Sequence, residues 1–156
     1  MNGKLLEFFI RIPKLEVDGS NWVIFKDRFA FAAAAAGLEK HINGTGTEPS
    51  PPAFVPGVPI VLTAEQTTEQ ELYEGKKSMW LTGEAVIKQA IATTISDSLF
   101  IEIQKEVTAR LMWEAVRMKR EKKSRMVTVD YLKRVMAVRR SQRRMSNAII
   151  AIRWGI

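Results

Sequence analysis

The sequence predicts an all-α fold, on three observations. Apolar residues recur at steps of three and four along several stretches, serines and threonines stand at cap positions ahead of them, and alternating apolar and polar runs are scarce. The best strand candidate, Val58 to Leu62, is interrupted by Pro59, which cannot donate to a ladder. At 156 residues, with 46% apolar and 26% charged side chains, the chain can bury one real core but is too short for two large domains.

Taken in order, residues 1–18 read as an extended N-terminal segment. A helical domain of about five helices is expected over 19–137. Its first helix has Ser20 as a cap, Trp22, Phe25, Phe29, Ala32 and Ala36 on one face, and Gly37 as the stop. Leu38 to Ile42 continues as a short turn, after which residues 43–62 form a long loop. Pro49, Pro51, Pro52, Pro56 and Pro59, with Gly44, Gly46 and Gly57, deny that loop regular hydrogen bonding. A long helix starts at Thr63 or Thr68, both of which have the capping-box spacing to a glutamine or glutamate. Its later half places Trp80, Ile87 and Ile91 on one stripe, with Met79, Val86 and Ala90 beside it.

Ser96 caps a short helix through Ile101, with Asp97 favourable at the positive helix end. Thr108 caps the next, where Leu111, Ala115 and Met118 run beside Met112 and Val116, with Trp113 between them. Val129, Leu132 and Met136, with Tyr131, Val135 and Val138, mark a last helix whose opposite side is basic. Residues 138–156 follow as a basic and apolar tail.

The residue inventory removes most chemistry. With no cysteine, disulfides, thiolate metal sites and cysteine nucleophiles are impossible. The single histidine, His41, reads as a C-terminal helix cap rather than a base. Glu65, Glu69, Glu71 and Glu74 spread over a solvated helix face without a matching histidine, so no metal site is expected. Asp18-Gly19-Ser20 has the wrong order for an aspartic-protease loop, and Gly44-Thr45-Gly46 lacks the third glycine of a dinucleotide fingerprint. No catalytic residue, cofactor or small-molecule substrate is expected, and the chain does not read as an enzyme. The N-terminal apolar run is too short for a signal sequence, and the longest apolar stretch, Phe29 to Leu38, is half of the roughly 20 residues that cross a bilayer. The protein therefore reads as cytoplasmic with no membrane span, and the sequon Asn43-Gly44-Thr45 as unused.

Charge is the informative feature. Residues 1–104 carry 9 basic and 13 acidic groups, net −4, whereas residues 105–156 carry 15 basic and 4 acidic groups, net +11. Lys119, Arg120, Lys122, Lys123, Arg125, Arg139, Arg140, Arg143 and Arg144 are the candidate nucleic-acid contacts. The plain alternative is a solvated face that confers solubility. Trp22, Trp80 and Trp113 lie on apolar stripes and read as core rather than as base-stacking platforms. Tyr131, Met136, Ile149, Ile150 and Ile152 are candidates for a self-association surface.

An ordered set of segments carries a family likeness. It runs through Ile12-Pro13-Lys14-Leu15, Asp18-Gly19-Ser20-Asn21-Trp22, Phe25-Lys26-Asp27-Arg28 and Gly37 to Thr45. It continues with Trp80, Ala85 to Ile95, Ser96-Asp97-Ser98-Leu99, Thr108 to Ala115 and Lys123 to Val127. Over residues 12–137 the chain resembles the Gag polypeptide of copia-type LTR retrotransposons, particularly fungal forms. The resemblance implies a capsid-like helical bundle, a structural protein that assembles with itself or related Gag chains around RNA. Asn21, Trp22, Trp80 and Trp113 would be its motif and core positions. Longer members commonly end in a Cys-Cys-His-Cys zinc knuckle, whereas this chain has no cysteine and departs from the family from about Val138. A truncated or degenerate copy is the implied origin, and a monomeric nucleic-acid-binding or Gag-interfering module the alternative role.

Overall fold

The structure, a computed structural model, describes residues 2–53 and 63–154. It is all-α, with no strand among the described residues. Six helices follow in order: α1 (Asn2–Leu6), α2 (Trp22–Ala35), α3 (Lys40–Asn43), α4 (Ala64–Thr94), α5 (Asp97–Ile103) and α6 (Ala109–Trp154), with a 3-10 turn at Glu7–Phe9 after α1.

The N-terminal segment is wound over residues 2–9 rather than extended. Winding gathers Leu5, Leu6 and Phe9 onto one side, where all three reach the core, and an extended strand would leave half of this apolar run in water. Phe9 meets Phe29 at 5.1 Å between ring centroids. Beyond it Ile12 and Leu15 are buried, and the Leu15 amide donates to the Thr94 carbonyl at the end of α4.

Ser20 is not the cap of α2. The residue before the helix is Asn21, and its side chain turns back to the loop, accepting from the Glu16 amide and donating to the Lys14 carbonyl. At the far end Gly37, with φ of 69°, closes a Schellman motif: Leu38 donates to Ala33, Gly37 donates to Ala34, and Leu38 is buried.

Between these ends Trp22, Phe25, Phe29, Ala32 and Ala33 face inward. Phe29 stacks on Trp113 of α6 at 4.5 Å, and Trp22 lies 5.9 Å from the same ring. This aromatic cluster, with Val86, Ile87, Ala90 and Ile91 of α4, Leu99 and Ile103 of α5, and Met112 and Val116 of α6, is the core.

Thr63 supplies the capping box of α4 with Gln66, so the earlier of the two sequence candidates starts the helix. Two expected core residues of α4 lie elsewhere. Met79 is exposed, and Trp80 is half-buried against the His41 ring instead of in the aromatic cluster. In α6, Leu111 and Met118 are exposed while Met112, Trp113 and Val116 are buried.

The expected loop begins at Gly44 and is irregular through residue 53; its remainder, 54–62, with the strand candidate Val58 to Leu62, lies outside the described residues. Ser96 precedes α5 without a capping hydrogen bond from its side chain, whereas Thr108 accepts from the Leu111 amide at the start of α6.

The largest departure is α6. The two expected helices and most of the expected tail are one continuous helix of 46 residues, about 70 Å long. No glycine or proline occurs between Ala109 and Trp154, and arginine, lysine, methionine and alanine all favour helix, so nothing in the chain stops it.

Candidate nucleic-acid interface

Among the described side chains of α6 the last buried one is Arg120, and its partner marks where the body ends. Arg120 donates to the Val17 carbonyl at 2.5 Å, and Lys123 donates to the same oxygen at 2.8 Å. Two cations thus satisfy one loop carbonyl. Arg120 is 7% exposed and is no surface contact. Lys119 is ion-paired with Glu102 of α5 and is partly committed as well. The Lys119 ammonium, by hydrogen bond and charge, holds the Glu102 carboxyl below its ordinary value. Nearby Asp18 is also lowered, first by the Ser20 amide that it accepts, then by the Ser20 hydroxyl, with Lys123 adding charge.

Apart from Lys119, Arg120 and Lys123, the predicted cations stand clear. Lys122, Arg125, Arg139, Arg140, Arg143 and Arg144 are exposed, and none forms an ion pair with another described residue. Lys133 and Arg134 join them. These two were missed because they sit between Leu132 and Val135, apolar residues whose periodicity reads as core.

The register is regular. Lys122 and Arg140, and likewise Arg125 and Arg143, are 18 residues apart, which is five helical turns, so each pair projects in one direction. From Lys122 to Arg144 the basic face extends roughly 33 Å. A row of point charges of this kind suits phosphate contacts rather than the reading of bases.

A second polar group lies where α3, α4 and α6 meet. His41 is not a helix cap. It is 1% exposed, its Nδ1 donates to Glu84 Oε1 at 2.9 Å, and its ring lies 4.2 Å from that of Trp80. Glu84 Oε2 in turn accepts from the Ala109 amide at 2.8 Å, placing a carboxylate at the first turn of α6, where the helix dipole favours it.

The other ring nitrogen, Nε2, is buried without a partner and faces Gly83, where a Cβ would sit only 2.3 Å from it. A base needs that nitrogen open to substrate, so the His41–Glu84 pair is a structural joint. The adjoining cleft of about 500 Å³, lined among others by Lys40, Glu48, Trp80 and Arg110, holds no serine or cysteine beside the histidine.

Among the described residues no three histidine, aspartate or glutamate side chains converge on a common point, and no helix is long and apolar enough to cross a membrane. Comparison with family models, with curated proteins and with solved structures gives no match.

Proposed function

We propose that this chain is a retrotransposon Gag-like structural protein that associates with itself and binds RNA in the cytoplasm through phosphate charge. The observation that carries the reading is the part of α6 beyond Arg120. It is a helical arm standing off a folded body, with eight exposed lysines and arginines that make no ion pair among the described residues. A cation held for solubility alone gains nothing from alignment over five turns, whereas a polyanion does. The resemblance over residues 12–137 supplies the class of polyanion, and its tryptophans Trp22 and Trp113 stand at the centre of the core.

Binding is tested by fluorescence anisotropy of labelled single-stranded RNA across a salt series. If about six phosphates are neutralised, log affinity falls with log salt at a slope near −4, from roughly −0.7 per contact. A flat response removes the RNA reading. Light scattering on a sizing column, with and without RNA, tests assembly. Growth to large particles on adding RNA supports it. A monomer that binds RNA with the salt slope intact would instead fit the monomeric nucleic-acid-binding or Gag-interfering alternative.

A further inference from the structure

The face of α6 that is buried in the body does not stop where the body does. Tyr131 and Ile149 follow Trp113 by 18 and 36 residues, and Val138 follows Arg120 by 18, so five-turn steps carry them onto the buried side of the helix. With Val135, Gln142 and Met145 they form a stripe at alternating steps of three and four, the seven-residue repeat of a coiled-coil seam. Tyr131, Val138, Met145 and Ile149 are all more than half exposed. The arginine face lies on the other side: Arg140 and Arg144 are two and six residues past Val138, which turns them about 200° and 240° from it around the helix.

We infer that this stripe pairs antiparallel with the same stripe of a second copy of the chain. The body decides the orientation. It packs on the stripe side of α6 up to Arg120 and Lys123, so a parallel partner would bring its own body into the same space. An antiparallel partner brings only a helix end.

Length decides the register. About 31 residues of α6, roughly 46 Å, extend past Lys123. Centring the pair on residue 140 sets Tyr131 against Ile149, Val135 against Met145 and Val138 against Gln142 of the other copy. Residue 154 then lies opposite residue 126, just clear of the Val17 loop. One heptad deeper drives that end into the loop, and one heptad shallower uncovers two turns of seam at each end.

Twelve seam side chains, six from each copy, at on the order of 100 Å² each, bury about 1,200 Å², the lower bound for a specific interface. The basic faces remain outward, except that Arg134 and Arg139 flank the seam and Arg139 approaches its counterpart near the twofold axis, so association strengthens as salt screens that pair. This inference deepens the self-association half of the proposed function and is independent of RNA binding.

The chain contains no cysteine, so introduced thiols report the geometry directly. Under a mild oxidant, Tyr131→Cys mixed with Ile149→Cys should give a covalent dimer, while Tyr131→Cys alone should not. Efficient cross-linking of Tyr131→Cys to itself overturns the antiparallel arrangement. Sedimentation of the unmodified chain as a monomer at about 100 µM in about 0.5 M salt overturns the pairing. Val138→Asp should abolish the dimer while the near-ultraviolet signal of the Trp22 and Trp113 cluster persists, and a Val138→Asp dimer also overturns it. A dimer that ignores RNA leaves the inference standing and removes the RNA reading, whereas a monomer that binds RNA does the reverse.

Discussion

Gly83 is present because His41 occupies the space where a side chain would begin. A glycine inside an exposed helix is ordinarily a liability, costing up to about 1 kcal/mol against alanine. Gly75, in the same helix, is of that ordinary kind, since a Cβ there would meet nothing within 4 Å. The two positions give a matched pair. Gly75→Ala should raise stability by about 0.5 to 1 kcal/mol, and Gly83→Ala should lower it by about 2 to 3 kcal/mol, read from urea unfolding of both variants. Equal effects would mean that His41 does not press on α4.

Glu84 extends the same joint. Glu84→Ala strands His41 Nδ1 and the Ala109 amide together, at a cost of about 2 to 3 kcal/mol for groups left without partners. A loss below about 0.5 kcal/mol would show that water replaces the carboxylate.

The exposed carboxylates add a pH dependence of known sign. Asp18 and Glu102 titrate lower in the folded chain than in the unfolded one. Each therefore contributes stability that is present above the unfolded value and is lost as pH falls through the folded one. The melting temperature should drop on going from about pH 6 to about pH 3, and less so in Glu102→Gln. An unchanged pH slope in that variant would deny the Lys119 pair any role.

At the scale of elements, periodic apolar stretches were legible in the sequence, whereas contacts between distant residues were not. Thr63 and Gln66 start α4, Gly37 stops α2, and Phe25, Phe29, Ile87 and Ile91 are buried as their spacing requires. Asn21 escaped because its side chain serves the preceding loop, a contact five to seven residues away that no local pattern encodes. Trp80 escaped because its partner, His41, lies in another helix. In the candidate interface the exposed arginines were legible as charge, but the burial of Arg120 was not, since it depends on a carbonyl 103 residues earlier.

The split of α6 into two helices and a tail had a different origin. The apolar periodicity lapses between Met118 and Met126, although the charged residues there are good helix formers and neither glycine nor proline breaks the run. The arm's cations give the matching prediction. Replacing Arg139, Arg140, Arg143 and Arg144 with glutamine should flatten the RNA salt slope from near −4 to about −1.4, as roughly four of six contacts are removed. A slope that stays steep would move the contacts to the body.

For the whole molecule, charge and shape divide along the same line. The portion through residue 104 is net acidic, the remainder strongly basic, and most of that basic charge rides on a helix in whose distal half no described side chain is buried. An isolated helix of this length is only partly stable in water, yet this one is nucleated at its N-terminal end by the Glu84 carboxylate, the Thr108 cap and the packed face of Met112, Trp113 and Val116. Repulsion from the acidic body is absent, because opposite charges would draw the arm inward. Continuity of the helix past Lys123 is what keeps the arm out, since folding back would require a break that the sequence does not provide.

Scattering can decide between the two shapes. A compact chain of 156 residues has a radius of gyration of roughly 15 Å. With the arm extended, small-angle X-ray scattering at low concentration should give a value well above that, with a long tail in the distance distribution reaching about 70 Å or more. A radius near 15 Å would mean that the basic helix bends back onto the acidic body, which would cover the seam and remove both the polyanion surface and the pairing face at once.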